Sequence, residues 1–593
     1  MEGQHTHGMT EGEHQKHKHN TFWINGQVSF TFMLHGNPPN QRNMRSALHL
    51  DQLDAFLRTN RFILDLPKDP KEEIPDIYLF PDPENTGSDE VLVVTFFRFT
   101  EIGLPEIRVQ QHDPTNHMGA QTPPLNQTPV ARLVNLVNAA IEKRDSGGTK
   151  VGIVSQQHES GPLPPDIPIT SAAPHWLCGA SNHITTGCPL IPPIPVPPDK
   201  RCSSTHGLWP FSLPDIPYEL KGVPGDDVTV FVMDTLPPEG HIKRAAQAAG
   251  SHNLLLLDLI DNVKFSYPSL LEEVDHPNEL QAGTGKDIEG EFMSFHMPDH
   301  GLFVAGIIRD LAPDTHVECI RILSDLGAGA TKDLIKQLQH IRERKAKGRD
   351  LHNKDVVVNL SLVTPSDEDV DGSDIDLGKA RQGLLGAIQS LTSRGVVFAI
   401  AAGNEGDPRN LEKGKPRPDA LYPAAFAYPN TYNGITYKGI DNIVPVGAVK
   451  RNQHAASYSC YPGEKGVATY GGELPHVYED SGTKKVHIDD IDAPIGVYTQ
   501  LFYPAPSSHD PEATYPAPDA HGWAYWTGTS FATPIVAAVA ARAFELKRIY
   551  GSAMLIRDYI TTQAATASTL WTYKGGTAEG HTIRAVQCRH TFG

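Results

Sequence analysis

The chain has 593 residues and a formal net charge of −19, which excludes a single small domain and disfavours a protein that mainly binds nucleic-acid phosphates. Apolar residues make up 39% of the chain and charged residues 20%, a composition typical of a globular protein. No apolar run reaches the roughly 18 residues of a membrane span, and the first residues lack the basic and apolar regions of a secretory signal. We therefore expect a cytoplasmic protein with neither a membrane nor a nucleic-acid partner.

The first residues and those that follow them differ sharply in pattern. Residues 1–20 are rich in histidine and polar side chains and predict a disordered tail; such a tract can hold a transition metal, but nothing rigid here would fix the ligands. Residues 21–160 contain strand-like apolar runs and one amphipathic helix at 130–143, which together predict a small, β-rich α+β domain. The strand-like runs lie at residues 22–24, 28–34, 76–80 and 91–99.

Residues 161–221 are dominated by clusters of proline. Proline locks φ and removes a backbone donor, so this segment is predicted to be an extended linker. Its potential metal ligands are Cys178, His183, Cys188, Cys202 and His206. Their spacing lacks the close Cys-x2-4-Cys pair typical of zinc sites, which argues against a metal site without settling the question.

Residues 222–593 alternate near-continuous apolar runs with helical patterns. The apolar runs lie at residues 228–233, 316–323, 355–362, 395–402 and 443–449, and the helical patterns at 301–311, 331–345, 375–394 and 531–550. Strands that are apolar on both faces and separated by helices indicate an α/β fold, a parallel sheet covered by helices on both faces. Functional side chains of such folds lie at the carboxyl ends of the strands.

Four polar side chains lie at such places. Asp234 ends an apolar strand, His300 opens the helix His-Gly-Leu-Phe-Val-Ala-Gly, and Ser530 lies in Gly-Thr-Ser-Phe-Ala-Thr-Pro at the start of another helix. Each alone has an ordinary structural explanation, but an acid, a base and a nucleophile in the chain order Asp, His, Ser follow the order of the subtilisin triad. Asn404 follows a further strand, where its amide can donate to a developing oxyanion.

These motifs make residues 225–560 resemble the subtilisin-like serine peptidases, the subtilases. Asp234-Thr resembles the family's Asp-Ser/Thr-Gly, residues 300–306 its His-Gly-x-x-Val-Ala-Gly, and residues 528–534 its Gly-Thr-Ser-Met-Ala-x-Pro. Weaker similarities are Val358-Asn-Leu-Ser-Leu, which resembles the strand lining the substrate groove, Ala402-Gly-Asn404, which resembles the oxyanion segment, and Val444-Pro-Val-Gly-Ala-Val, which resembles a later core strand.

The resemblance implies a serine endopeptidase that hydrolyses peptide bonds in proteins through an acyl-enzyme. It implies that Ser530 is the nucleophile, His300 the base, Asp234 the carboxylate that orients the base, and Asn404 an oxyanion donor. The residues implied to line the substrate groove are Ser361, Leu362, Ala402 and Gly403. The chemistry implied needs no metal or cofactor, and the calcium sites of the family are left unassigned in this chain.

Two positions depart from the family pattern. Leu236 stands where the family has the glycine after Asp-Thr, and Val363 stands where it has the glycine after the Ser-x of the groove strand. We expect the first to alter the turn at Asp234 and the second to narrow or reshape the floor of the pocket that receives the substrate side chain. They keep open an alternative, a catalytically impaired subtilase-fold protein that binds peptides or acts as a scaffold.

The role of the N-terminal domain is also open. It is either an inhibitory or folding-assisting propeptide or a permanent recognition domain. We favour the recognition domain, because no secretion signal is visible and the segment with its linker is larger than such propeptides usually are.

Overall fold

The structure is a computed structural model. It describes residues 23–81, 89–102, 128–146, 163–179, 193–196, 227–271, 297–325, 327–365, 377–406, 417–432, 435–474, 477–480, 483–486, 491–499, 513–514, 521–550, 555–564, 567–571 and 581–585. The tail predicted at residues 1–20 lies outside these ranges, as do most of the predicted linker and four of its potential metal ligands, His183, Cys188, Cys202 and His206.

The N-terminal domain is an antiparallel sheet with helices packed on it. Its strands are β1 (Trp23–His35), β2 (Phe62–Leu64), β3 (Ile77–Pro81), β4 (Glu90–Glu101) and β5 (Ile169–Gly179), and its helices are α1 (Met44–Ala47), α2 (Leu50–Thr59) and α3 (Pro129–Asp145). Strand β1 lies between β4 and β5 and pairs with both, while β2 and β3 pair with β4. Apolar side chains of α2 and α3 form one buried core with this sheet.

Strand β5 differs from expectation, because it lies in the segment predicted to be a linker. Residues 169–179 pair with β1 over most of their length, and tertiary pairing overrides the proline content. Pro174 is tolerated because the outer neighbour of β5 pairs only with residues 177–179, so its missing N–H falls at an edge position.

The C-terminal domain is built on a large parallel sheet. Its strands are β6 (Ile194–Pro195), β7 (Val228–Asp234), β8 (Val263–Ser266), β9 (His316–Arg321), β10 (Ala328–Ala330), β11 (Asp355–Leu360), β12 (Val397–Ala401), β13 (Asn430–Tyr432), β14 (Ile435–Tyr437), β15 (Ile443–Val449), β16 (Val467–Tyr470), β17 (Val477–Asp480), β18 (Thr483–Val486), β19 (Ile495–Val497), β20 (Ala513–Thr514), β21 (Trp523–Tyr525), β22 (Ala567–Trp571) and β23 (His581–Ala585). Its helices are α4 (Glu239–Ala249), α5 (Leu254–Asn262), α6 (His300–Leu311), α7 (Thr331–Arg344), α8 (Leu377–Thr392), α9 (Thr529–Tyr550) and α10 (Ile556–Tyr559).

The strand order of the large sheet is β22-β23-β16-β15-β12-β11-β7-β9-β8. Every pairing in it is parallel except the one between β22 and β23 at the edge. The five apolar runs identified in the sequence form its centre, and strands such as β7 and β15 are buried throughout. The predicted α/β fold with a parallel sheet is therefore confirmed. None of the described helices is long and apolar enough to cross a membrane.

Helices flank this sheet in two groups. Helices α6 and α9 pack together, and α9 also crosses the central strands, whereas α7 and α8 pack together and against the N-terminal sheet. The approach of α8 to that sheet is close: a Cβ at Gly383 would lie 3.1 Å from Val94, and one at Gly386 would lie 3.1 Å from Leu92. Glycine at these two positions therefore lets the N-terminal sheet rest on the helix.

The two domains also share a strand pairing. The end of β5 pairs antiparallel with β10, with Leu177 opposite Ala330 and Gly179 opposite Ala328. The N-terminal sheet thus continues into the C-terminal domain, and an ion pair between Lys332 and Asp76, 2.9 Å apart, spans the same interface.

A buried histidine lies in this interface. His175 on β5 accepts the backbone N–H of Lys332 at Nε2 (3.3 Å), so its proton lies on Nδ1, which contacts Oε1 of Gln27 at 2.7 Å. Its ring packs on Phe96, with the centroids 4.6 Å apart. Burial lowers the pKa of His175 well below its usual range, and the charges of Lys332 and Arg98 lower it further. Protonation would place a second N–H against the Lys332 amide.

This histidine predicts a pH dependence of stability. Below about pH 6.5 an unfolded histidine takes up a proton that the folded interface excludes, so stability falls as pH drops, by at most about 1.4 kcal/mol per pH unit. Thermal unfolding of the full chain between about pH 7.5 and 5 should show a steeper loss of Tm in the wild type than in His175→Gln. Replacing the exposed His352 by Gln is the matched control and should leave the wild-type slope. Parallel curves for the wild type and His175→Gln would contradict this interpretation.

Candidate active site

The carboxyl ends of three neighbouring strands, β12, β11 and β7, meet at one edge of the large sheet. Asp234 is the last residue of β7, Ser361 follows β11, and Asn404 follows β12. His300 and Ser530 come to the same place at the amino ends of α6 and α9. The structure therefore brings together the residues that the sequence analysis singled out.

Asp234 and His300 form a buried pair. Oδ1 of Asp234 lies 2.7 Å from Nδ1 of His300, and both side chains are almost completely buried. Because an ionised carboxylate only accepts hydrogen bonds, this contact places the imidazole proton on Nδ1 and leaves a lone pair on Nε2. The same Oδ1 accepts the backbone N–H of Thr235 at 2.6 Å, which fixes the carboxylate at the strand end.

The helix that carries His300 is held against the strand that carries Asp234. A Cβ at Gly301 would lie 2.2 Å from the carbonyl oxygen of Thr235, so only glycine allows this approach. The Thr235 hydroxyl lies within hydrogen-bond distance of two carbonyls, those of Met297 (3.0 Å) and Pro298 (2.9 Å), and accepts the Gly301 N–H at 3.3 Å. The loop before the helix is thus tied to the strand end.

Two aromatic rings enclose the imidazole. The ring centroid of His300 lies 5.3 Å from that of Trp526, edge to face, and 5.2 Å from that of Phe531. Nε2 is buried and hydrogen-bonds to no group of the described residues. Trp526 could not be predicted as a neighbour of His300, since no spacing rule connects the two residues, whereas Phe531 lies inside the motif of Ser530.

The Oγ of Ser530 does not hydrogen-bond to Nε2 of His300 in this conformation. Its Oγ donates to the carbonyl oxygen of Ser361 at 3.3 Å. The Ser361 hydroxyl in turn donates to the carbonyl of Ser530 at 2.9 Å and accepts Nδ2 of Asn359 at 3.0 Å. A serine hydroxyl can rotate about χ1, so Oγ is not fixed to the Ser361 carbonyl. Contacts between nucleophile and base are often loose without substrate.

Asn404 is oriented by the residue next to Ser530. Its Oδ1 accepts both the backbone N–H (3.1 Å) and the hydroxyl (3.0 Å) of Thr529. Nδ2 of the same amide therefore points away from Thr529, and it lies 3.6 Å from the position that a Cβ at Gly528 would occupy. The N–H of Ser530 belongs to the first turn of α9, whose amides have no acceptor within the helix. A side-chain amide and a helix-terminal N–H therefore lie beside Ser530, where they can stabilise negative charge.

The four residues predicted to line a substrate groove are all buried in this structure. Their side chains and backbones lie in different surroundings. Ser361 offers its backbone beside Ser530, whereas the side chain of Leu362 belongs to the main core. Ala402 lies in a small apolar cluster. Gly403 has φ of +110°, and a Cβ there would lie 2.5 Å from Oε2 of Glu405, so this turn requires glycine.

The two departures from the family pattern have different consequences. Leu236 is buried in the main core, and the turn between Asp234 and Thr235 forms with its hydrogen bond intact. The expected effect of Leu236 on this turn stays a prediction. Val363 pairs with Gly179 at the end of β5, each donating its N–H to the other's carbonyl at 3.0 Å.

Metal ligands are not grouped in the part of the chain that the structure describes. No set of three or more His, Cys, Asp or Glu side chains there is arranged to hold an ion. Cys178 is buried, and burial raises the pKa of its thiol well above the usual range, which disfavours the thiolate that binds zinc.

Comparison with known proteins gives consistent matches. The model of the Subtilase family matches residues 276–582, more than half of the chain; this range contains His300, Asn404 and Ser530, and Asp234 precedes it. The chain is 27% identical over 310 residues to "Subtilisin Savinase" of Lederbergia lenta, covering 51% of this chain and 83% of that protein. It is equally identical to "Alkaline protease" of Alkalihalobacillus alcalophilus, covering 51% of this chain but only 59% of that protein.

Solved structures are similar at a greater distance. A cold adapted subtilisin-like serine proteinase has 19% sequence identity and a TM-score of 0.33, with coverage of 65% of this chain and 97% of that one. The chain spans less than two thirds of the length of the first curated relatives it matches, 59% and 50%.

The close contact between α6 and the end of β7 predicts that adding one methyl group at Gly301 lowers the stability of the protein. Gly301→Ala should lower stability by about 1–3 kcal/mol, because its Cβ cannot coexist with the Thr235 carbonyl and must push His300 away from Asp234. Gly240→Ala is the matched control, since Gly240 is also the second residue of a helix and its nearest neighbour there would lie at 3.6 Å. Thermal unfolding should show a lower Tm only for Gly301→Ala; equal Tm values would mean that the close approach is not needed.

Proposed function

This chain belongs to the subtilase family, and from that premise we propose that it is a serine endopeptidase that hydrolyses peptide bonds in protein or peptide substrates. The observation that carries the proposal is the buried pair of Asp234 and His300, which leaves the lone pair of Nε2 inside a site that also holds Ser530 and Asn404. A nucleophile, a base, an orienting carboxylate and an oxyanion donor suffice for acyl transfer, so we propose no metal or cofactor for the chemistry.

The first half of the reaction transfers the acyl group to the enzyme. The Oγ of Ser530 turns from the Ser361 carbonyl, attacks the peptide carbonyl carbon and gives its proton to Nε2 of His300. Asp234 holds the imidazolium through Nδ1–H. When the tetrahedral intermediate collapses, the bond to nitrogen breaks, Nε2–H protonates the leaving amine, and an ester remains on Ser530.

The second half restores the enzyme. A water molecule gives a proton to Nε2 and attacks the ester, and the collapse of this second intermediate returns the proton to Ser530 and releases the acid. In both intermediates the oxyanion accepts hydrogen bonds from Nδ2 of Asn404 and the backbone N–H of Ser530. One such donor contributes on the order of 3 kcal/mol in subtilisin.

An impaired, peptide-binding protein is less well supported. All four side chains are present, and the orientations of His300 and Asn404 are the ones the chemistry requires. Ser530 and His300 have no exposed surface, so a substrate reaches them only after covering residues move. We therefore attribute the inaccessible site to regulation rather than to lost chemistry.

We infer that the N-terminal domain supplies this regulation. Gly179 lies between β10 on one side and Val363 on the other, as an added strand between two edges of the C-terminal domain. A substrate that runs alongside Ser361 to Val363 would compete for the same backbone groups. This argues for an inhibitory domain over the recognition domain favoured from the sequence. The contacts leave open whether the domain is removed by cleavage. The cytoplasmic location and the absence of nucleic-acid and membrane partners stay predictions.

The catalytic assignment predicts graded losses of activity. Ser530→Ala and His300→Ala should each remove nearly all hydrolysis of a peptide substrate, since the triad acts as a unit. Asn404→Ala should lower kcat by about 100- to 1000-fold with little change in KM, because its amide acts on the transition state. Steady-state kinetics of the three variants check this, and wild-type turnover by Ser530→Ala would end the assignment.

The regulatory role predicts a gain of activity. Gly179→Pro removes the N–H that donates to Val363, so the full-length variant should hydrolyse a peptide supplied in trans faster than the wild type. Gly179→Ala is the control: it adds a Cβ but keeps the N–H and should stay near the wild-type rate. If proline and alanine give the same rate, the strand pairing does not restrain the site.

A further inference from the structure

A small apolar cluster lies beside the candidate catalytic residues. Its members are Val363, Ala402, Leu421 and Cys460, and we call it the pocket cluster. Val363, Ala402 and Cys460 are at most 1% exposed and Leu421 is 9% exposed. None of these four side chains has a role in the chemistry derived above.

The position of the cluster follows from the two strand ends it joins. Val363 comes two residues after Ser361, whose carbonyl contacts Ser530 Oγ, and Ala402 comes two residues before Asn404. These segments continue β11 and β12, which are neighbours in the sheet. A substrate whose carbonyl lay between Ser530 Oγ and Nδ2 of Asn404 would direct its side chain between these two segments, where the pocket cluster lies.

The pairing of Gly179 shows how a peptide would enter. Gly179 forms a single antiparallel bridge with Val363, and the two residues exchange both hydrogen bonds. In an antiparallel pair the residue two positions further along the peptide lies opposite Ser361. That residue is therefore the one whose carbonyl reaches Ser530, and its side chain is the one that meets the pocket cluster.

The cluster is held in place by the backbone. The N–H of Leu421 donates to the carbonyl of Ala402 at 2.9 Å, and the N–H of Cys460 donates to the carbonyl of Gly403 at 2.9 Å. The Cys460 thiol donates a hydrogen bond to Oε2 of the Glu405 carboxylate at 3.0 Å. Displacing the cluster as a whole would disturb these two backbone hydrogen bonds and the bond of the thiol to Glu405.

We propose that Val363 and Leu421 restrict the residue before the cleaved bond to glycine, alanine or serine. This inference rests on the proposed peptidase function and names the substrate class. Val363 is the specificity-determining residue, because its side chain fills the start of the gap at the substrate strand. The four side chains of the pocket cluster are apolar and buried, so large substrate side chains are excluded by volume, and the Glu405 carboxylate beside Cys460 disfavours acidic ones.

The test is a series of peptide p-nitroanilides that differ only in the residue before the leaving group, namely Ala, Ser, Leu, Phe or Glu. For the full-length wild type we expect kcat/KM for Ala and Ser to exceed that for Leu, Phe and Glu by at least about 100-fold. Val363→Gly should raise the ratio of kcat/KM for Leu and Phe to that for Ala by about 10- to 100-fold. Its backbone N–H is unchanged, so the pairing with Gly179 is kept.

Further variants and outcomes separate the possible failures. Leu421→Ala enlarges the same pocket from the other side and should also favour Leu and Phe, which covers the case in which Val363→Gly does not fold. Val356→Ala in the buried part of β11 is the control for general loosening and should keep the wild-type preference. A wild type that prefers Phe or Leu overturns the pocket inference while leaving the peptidase function intact. No hydrolysis of any peptide, even by Gly179→Pro, overturns the function itself.

Discussion

The hydrogen bond between Asp234 and His300 joins the end of a buried strand to the start of a buried helix, and the geometry of the site depends on it. It fixes the imidazole tautomer and leaves Nε2 as the acceptor. The helix reaches the Thr235 carbonyl only because residue 301 is glycine, and the rings of Trp526 and Phe531 pack against the imidazole. A charged carboxylate inside a dry core would be costly without these hydrogen bonds.

A second constraint acts across the two domains. The N-terminal sheet packs on α8 and continues through β5 into β10. Gly179, the last residue of β5, pairs with Val363 next to the candidate catalytic residues. The same backbone edge is thus used by the chain itself and would be used by a substrate. His175, buried and neutral in this interface, connects the stability of the contact to pH.

In the two proposals made above, one residue, Val363, has two functions. The backbone of Val363 pairs with Gly179 at the end of β5, and its side chain packs in the cluster with Ala402, Leu421 and Cys460. A glycine at this position would keep the first function and lose the second. This separates restraint of the site, which depends on backbone hydrogen bonds, from selection of the substrate, which depends on side-chain volume.

Much of the site could be predicted from the sequence because it lies in short contiguous motifs. Asp234, His300, Asn404 and Ser530 each sit at a strand end or helix start, and local hydrophobic periodicity places such junctions without knowledge of the rest of the fold. The parallel sheet was predictable for the same reason, since strands such as β7 and β15 are apolar along their whole length.

What only the tertiary structure decided are contacts between residues far apart in the chain. The proline-rich composition around Pro174 predicted a linker, but pairing with β1 makes a strand of it. Nothing local connects Gly179 with Val363, Trp526 with His300, or Cys460 with Ala402. Sequence patterns report each residue's own backbone preference and burial, whereas register and enclosure arise when distant segments pack, and that information is not present in any one of them.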